Sequence, residues 1–365
     1  EPVSGQNSVA NRPFLSVITV ARDAEDSIRD KLRNTLGLDY PEDRLEFIVF
    51  SDGSSDATDE IVNSCPDSRV RLMGSESPRG KAHGLNVAAE EARGDLLVFT
   101  DVDARLEPRA LKEIVQPYAD PEIGGVCGQR RVGGKEGGIS GAQRFYVRFD
   151  SAIKRLENRA GSITSNDGKL YSVRRELYRP IKPGSSDDLY CCLNVVSGGA
   201  RFVFRPDAVA RVPIPSADRR EELQRRRRIV CGSMVTLWSH RELLNPVSHG
   251  LYGLRLAINK ALRRLLPVGL VLLFLATVGL WNVHAVFPVL VGLQGFFYLT
   301  AAAYPLSPSR WQNTRLMRPA EMAFYFCAGN VGTMLGLWDY LRGRRYVTWE
   351  PRDARTGAGD GKGER

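Results

Sequence analysis

Cysteine and histidine are scarce in this chain, six and four among 365 residues, and their placement removes whole classes of chemistry. Cys65, Cys127, Cys191, Cys192, Cys231 and Cys327 show no Cys-x-x-Cys spacing and the histidines no ligand spacing. A zinc site is therefore excluded, and the thiols read as reduced core or filler residues. No internal repeat and no secretory signal is visible. A net charge of +9 invites a nucleic-acid partner, yet no nucleic-acid-binding motif is present. The positive charge gathers instead at residues 219–228 and beside apolar segments, a pattern suited to lipid headgroups and diphosphate. Up to about Leu244 the chain also lacks any long apolar run; it is mixed and charged.

What the first part does contain is a series of short apolar runs that end in acids. Residues 95–100 run into Asp101-Val102-Asp103. Two carboxylates at the C-terminal tip of a buried strand lie where open α/β sheets bind ligands, and hard oxygen ligands there suit Mg²⁺ or Mn²⁺ carrying a diphosphate. Upstream, residues 45–50 end in Ser51-Asp52-Gly53-Ser54-Ser55-Asp56-Ala57-Thr58, which reads as strand, turn and helix N-cap. Residues 14–20 form a third strand, and residues 27–38 follow with apolar positions at Ile28, Leu32, Leu36 and Leu38. Strand, helix, strand, helix, strand predicts an α/β fold with a doubly wound, mostly parallel sheet. Asp52 is then placed to accept hydrogen bonds from a nucleotide base or ribose, and the three acids are expected to line one crevice.

The ordered set of motifs resembles the membrane-bound family 2 glycosyltransferases, which include cellulose, hyaluronan and exopolysaccharide synthases. It comprises Pro13-Phe14-Leu15-Ser16-Val17-Ile18, Asp23-Ala24-Glu25, Leu38-Asp39-Tyr40-Pro41, Ser51-Asp52-Gly53-Ser54-Ser55-Asp56, Arg79-Gly80-Lys81-Ala82-His83-Gly84-Leu85-Asn86 and Thr100-Asp101-Val102-Asp103. The likeness extends from about Pro13 to Arg355. One departure is Asp23, followed by Ala24, where the family carries Asn followed by Glu. The resemblance implies a GT-A-type, Rossmann-like domain that uses a nucleotide-sugar donor, with a UDP-sugar as the family expectation, and Mn²⁺ or Mg²⁺. It implies donor contacts at Asp23, Glu25, Asp52, Lys81, Asp101, Arg225 and Arg228, and metal ligands at Asp101 and Asp103.

Displacing a nucleoside diphosphate also requires a base for the attacking hydroxyl, a role a carboxylate suits. By the same resemblance, Ser185-Ser186-Asp187-Asp188-Leu189 supplies Asp188 as base with Asp187 as its neighbour; on local sequence alone the segment reads as a solvated turn. One displacement with one base inverts the anomeric centre. Residues 165–175 resemble an acceptor-pocket segment, making Asn166 and Asp167 candidate sugar contacts, although a polar turn before the strand at 170–173 describes them as well. Residues 221–232 match the Gln-x-x-Arg-Trp signature of processive synthases incompletely. In one register Arg225 replaces Gln and Ile229 replaces Trp; in the other Gln224 is kept and Arg228 stands at Trp. Arg225 and Arg228, at i and i+3, are expected to face the site and offset diphosphate charge.

After residue 244 the composition shifts. Residues 262–281 carry charge only at Arg263 and Arg264, and residues 283–304 contain no Asp, Glu, Lys or Arg. Both runs are long enough to cross a bilayer, forming a helical hairpin with Trp281-Asn282 near its turn. Leu251, Leu254, Ile258, Ala261, Leu262 and Leu265, interleaved with Arg255, Lys260, Arg263 and Arg264, read as an amphipathic interfacial helix. Basic residues before the first span, with Arg310, Arg315 and Arg318 after the second, place both ends on the cytoplasmic side. Residues 319–341 form a third membrane or re-entrant segment that returns residues 346–350 to the cytosol. The expected organisation is a linker at 1–12, a cytosolic catalytic domain at 13–244, a membrane region at 245–345 and a tail at 346–365, disordered from about Thr356. Because the chain opens on Glu1, an upstream transmembrane segment has room to precede it.

Three functions fit these features. The first is a metal-dependent inverting synthase extending a polysaccharide in the inner or plasma membrane, with export or synthase subunits as possible partners. The second is a single-sugar transferase to a lipid-linked acceptor such as a polyprenyl phosphate, favoured by the incomplete arginine motif. The third is a non-catalytic membrane subunit with a nucleotide-binding fold, which the acids at Asp52, Asp101, Asp103 and Asp188 disfavour.

Overall fold

The computed structural model describes residues 12–133, 138–213, 219–308 and 314–348, with the backbone alone at 138–146, 219–222 and 315. Arg310, the Trp349-Glu350 pair and the tail beyond lie outside the described residues. These residues divide into two compact units. One is drawn from Glu1–Gly134, Arg144–Ile214 and Tyr346–Arg365, the other from Lys135–Gln143 and Pro215–Arg345.

The first unit is built on a mixed sheet of eight strands in the order β3-β2-β1-β4-β7-β6-β8-β5. The strands are β1 Leu15–Ala21, β2 Leu45–Asp52, β3 Val70–Ser75, β4 Leu96–Phe99, β5 Arg105–Leu106, β6 Ile123–Val132, β7 Tyr171–Arg174 and β8 Arg201–Val212. Strands β1 to β4 are parallel to one another, whereas β7 runs antiparallel to both β4 and β6. Alternation along the strands sends Leu15, Val17, Phe47 and Val49 to one apolar layer and Ile18, Val20, Ile48 and Phe50 to the other. With both faces covered, the strands read as continuous apolar runs, as parallel sheets do.

Helices α1 Glu25–Leu36 and α4 Ala110–Val115 cover the first layer through Ile28, Leu32, Leu111 and Ile114. Helices α3 Lys81–Glu90 and α6 Asp187–Ser197 cover the second through Leu85, Ala88, Tyr190 and Cys192. The short α2 Thr58–Asn63 follows the β2 turn, and α5 Gly138–Arg159 leads towards β7. The expected helix at 27–38 begins two residues earlier and stops at Leu36, where Gly37 caps it through its backbone N–H. Strand β3 was not anticipated; it is the sheet's edge and half-exposed, so its sequence lacks the apolar run that marks its neighbours.

The second unit is helical. Helix α7 Arg219–Ser239 is followed by α8 Pro246–Leu256, which continues through a π-helical stretch, Ala257–Leu262, into α9 Arg263–Gly279. The amphipathic segment and the first apolar span are thus joined, with non-helical backbone at Gly250. Helix α10 Val286–Ala303 forms the second apolar span. Pro246–Gly279 and Val286–Leu306 are long and apolar enough to cross a membrane, each containing an 18-residue stretch with a mean hydropathy of 1.9 and 1.7 respectively. Leu272, Leu275, Leu293, Phe296 and Leu299 are exposed on them. Residues 319–341 belong to one unbroken helix, α11 Arg318–Leu341. Gly329, Gly332 and Gly336 let it approach α7 closely, where an added Cβ would crowd Arg226, Leu223 and Val230. Buried Asp339 takes both Nε and Nη2 of Arg227, at 2.9 Å each.

Candidate functional site

Three neighbouring strand tips assemble the acids. The loop after β1 is zipped to the loop after β2: Asp23 Oδ1 accepts from Ser55 N at 2.7 Å, and Asp56 Oδ2 accepts from Glu25 N at 2.9 Å. In return, Glu25 Oε2 accepts from Ala57 N and Thr58 Oγ1 accepts from Ala24 N. Asp23 has a φ of 44°, a left-handed conformation that Asp tolerates better than most residues. Asp52, at the end of β2, is fully buried, and its carboxylate accepts from the backbone N–H groups of Arg79 (2.8 Å) and Gly80 (3.0 Å). It therefore fixes the turn that starts α3. Gly80 has a φ of 96°, and a Cβ there would collide with the carbonyl oxygen of Val347.

That turn delivers Lys81 to the tip of β4. Its Nζ lies 2.7 Å from Asp101 Oδ1 and 2.7 Å from Asp187 Oδ2. One ammonium thus joins the acid after β4 to the acid that opens α6. A second, Lys169, contacts Asp101 Oδ2 at 2.9 Å and both oxygens of Asp103 at 2.8 and 3.0 Å. Burial alone would raise the Asp101 pKa, but Lys169 and Lys81 outweigh it and hold the carboxyl below the usual range. Burial would likewise lower both lysines, and the carboxylates facing them raise them instead. Asp101, Lys81 and Lys169 are therefore each held in their charged form.

Beneath the motif, buried Lys31 donates to Thr100 Oγ1 (2.9 Å) and to Ala104 O (2.8 Å), clamping both ends of the Asp101–Asp103 loop. Burial and the nearby Arg105 bring its pKa down to about 7.

On the acceptor side, Asp188 Oδ1 accepts from Ser186 Oγ and Leu189 N, each at 2.7 Å, which orients the carboxylate at the start of α6. Asn166 is buried; its Oδ1 accepts from Asp167 N and its Nδ2 donates to Asp188 O. Asp167 pairs with Arg130 Nε at 3.2 Å. Burial would raise it, but Arg130 and Lys154 hold it low. Asn166 thus ties the Asp167 turn to the Asp188 backbone. Arg225 and Arg228 lie on α7 in the second unit, where they are exposed.

Asp101 and Asp103 both reach the Lys169 ammonium, so their oxygens converge on one cation position. Among the described residues no three His, Cys, Asp or Glu side chains form a metal-holding group. Two carboxylates fit a hard divalent ion of the Mg²⁺ kind, which completes its shell with water and substrate phosphates. Sequence reasoning missed Lys169 and Lys31. Lys169 had a findable signal: the β4–β7 pairing sets Phe99 opposite Tyr171, and continuing it by two residues sets Asp101 opposite Lys169, an opposite-charge cross-strand pair.

Comparison with known proteins gives a consistent picture. Residues 16–181 match the family model described as Glycosyl transferase family 2. The chain is 28% identical over 170 residues to the poly-beta-1,6-N-acetyl-D-glucosamine synthase of Staphylococcus epidermidis, covering 46% of this chain and 41% of that protein. It is 34% identical over 143 residues to the probable glycosyltransferase YdaM of Bacillus subtilis (strain 168), covering 38% of this chain and 33% of that one. The matches thus span less than half the length of these two relatives. Among solved structures, a mannosyltransferase from Pyrobaculum calidifontis, in complex with GDP-Man and Mn²⁺, superposes with a TM-score of 0.67 at 22% identity. It covers 94% of this chain and 92% of that chain, and so shares the fold.

Proposed function

Residues 16–181 match the glycosyl transferase family 2 model, and on that premise we propose that this chain transfers a sugar, with inversion, from a UDP-sugar to a growing polysaccharide at a membrane. The observation that carries the reading is the Lys81 ammonium, 2.7 Å from both Asp101 and Asp187. It brings donor-side Asp101 to one point with Asp187, the neighbour of Asp188. Asp23, Glu25 and Asp52 form the nucleoside end. A divalent cation held by Asp101 and Asp103 would offset the diphosphate charge. Lys81 adds a fixed positive charge beside the leaving group. Asp188 takes the proton of the attacking hydroxyl, oriented by Ser186 and Leu189, while Asn166 and Asp167 hold the acceptor sugar.

The polysaccharide acceptor is supported by the likeness to a poly-beta-1,6-N-acetyl-D-glucosamine synthase. The membrane setting is supported by two exposed apolar helices, since surface of this extent requires a nonaqueous partner. The basic residues that flank the two apolar helices support a cytoplasmic catalytic unit. The test is donor turnover by the full chain reconstituted in membranes, against UDP-, GDP- and dTDP-sugars with Mn²⁺ or Mg²⁺, with the labelled product sized on a gel. High-mass product from a UDP-sugar supports the proposal. A single sugar on lipid replaces it with transfer to a polyprenyl-phosphate-type acceptor, and no turnover of any donor points to a non-catalytic subunit.

A further inference from the structure

We propose that Lys169 is a resident counter-cation of the Asp101–Asp103 pair, occupying the cation position until a metal ion and a nucleoside diphosphate arrive together. This rests on the reading of the two aspartates as metal ligands.

The two lysines of the cluster are placed differently. Lys81 is divided between Asp101 and Asp187. Lys169 alone among the contacts described above spans both acids of the motif, within 3.0 Å of three of their four oxygens. A divalent ion held by the same carboxylates would sit about 2.0–2.2 Å from their oxygens. An ammonium bridging those oxygens at 2.8–3.0 Å claims the same space, and two cations so close repel. Metal entry therefore requires the ammonium to leave.

The backbone of Lys169 is pinned, and among the described residues its ammonium is held only by the two aspartates. Its carbonyl accepts from Thr100 Oγ1 at 2.9 Å, and its N–H donates to Asp167 Oδ1 at 3.3 Å. Those anchors fix the Cα beside the motif. The four-carbon stem lets the ammonium move several ångströms without disturbing them. Withdrawn into water, the ammonium exchanges its two carboxylate partners for hydration alone. Withdrawn onto a diphosphate, it acquires a new anionic partner. Metal alone must therefore compete with Lys169, whereas metal with a nucleoside diphosphate does not. The consequence is a donor site that resists loading with metal in the absence of its substrate, a coupling between two ligands through one side chain.

The experiment measures Mn²⁺ binding to the purified full chain in detergent, from the free-ion electron paramagnetic resonance signal, with and without UDP. Lys169→Met keeps the length of the stem and removes the charge; Lys169→Gln is measured beside it in case the Met variant folds poorly, and thermal unfolding checks both. The expected result is that the neutral variants bind Mn²⁺ alone at least tenfold more tightly than the parent and that the tightening produced by UDP shrinks by a similar factor. Lys169→Arg should stay close to the parent. If the neutral variants bind Mn²⁺ alone no better than the parent, while Asp103→Asn removes binding, the counter-cation role is overturned and the metal site stands. If no form binds Mn²⁺ even with UDP, or Asp103→Asn leaves binding unchanged, the metal reading fails and this proposal with it.

Discussion

Both units of the protein bring carboxylates and basic side chains together in partly or fully buried positions, but they do so in opposite ways. In the helical unit one buried carboxylate, Asp339, receives the planar fork of Arg227 through two bonds and has Arg344 3.5 Å away. At the strand tips of the sheet unit two ammonium groups are divided: Lys81 serves Asp101 and Asp187, and Lys169 serves Asp101 and Asp103. A bidentate pair is closed, because its geometry is satisfied by one partner. Shared point charges on flexible stems are open, because each can be redistributed when a charged ligand enters. The same chemistry therefore serves as a rivet in one place and as a working site in the other.

Removing the proposed base tests the open side most severely. Asp188→Asn should lower turnover by about 10²–10⁴-fold, the usual worth of general base catalysis, while leaving donor binding intact. The check is kcat beside UDP-sugar affinity; near-normal turnover would remove Asp188 from the mechanism.

On the closed side, Arg227→Leu strands the Asp339 carboxylate. It should cost about 3 kcal/mol of stability, the low end for a broken buried pair, because Arg344 remains near. Thermal unfolding in detergent reads this, and an unchanged midpoint would mean that the rivet carries no load.

Gly80→Ala strikes the support of the open site. The residue is in the left-handed region and its Cβ would meet Val347, so a loss of roughly 1–2 kcal/mol is expected from the backbone alone, with weaker nucleotide binding because Asp52 holds the same turn. Nucleotide titration beside a denaturant curve separates the two effects.

An effect read through pH concerns Lys31, whose pKa falls from 10.5 to about 7 on folding. Between those values the unfolded chain binds the extra proton, so this group adds stability as pH rises from about 7 towards 10.5 and adds none below. Comparing denaturant midpoints at pH 7 and pH 9 should show that increment in the parent and its absence in Lys31→Met.

The legible parts of this protein are those whose physics is local. Residues 14–20, 45–50 and 95–100 announce strands because both faces of the sheet are covered, and their acids lie at the tips because parallel crossovers bring each strand back in the same direction. What escaped is nonlocal. Strand β6, with Gly124, Gly125 and Gly128, lacks an alternating pattern because close neighbours need the space: a Cβ on Gly125 would strike the Phe202 ring. Lys169 is separated from Asp103 by 66 residues, and only the antiparallel β4–β7 pairing brings it home. The arginine run was readable as a helix, but the pairing of its Arg227 with Asp339, on a helix more than a hundred residues later, was not.

The carbonyl of Val347 rests against Gly80, the turn that Asp52 holds. During synthesis that contact must wait for about 270 further residues, a delay on the order of 10–50 s at ordinary elongation rates. All of the apolar helices emerge within that interval. The turn that Asp52 holds is therefore completed by a segment made only after the apolar helices, so the order of translation itself ties completion of that turn to the fate of those helices.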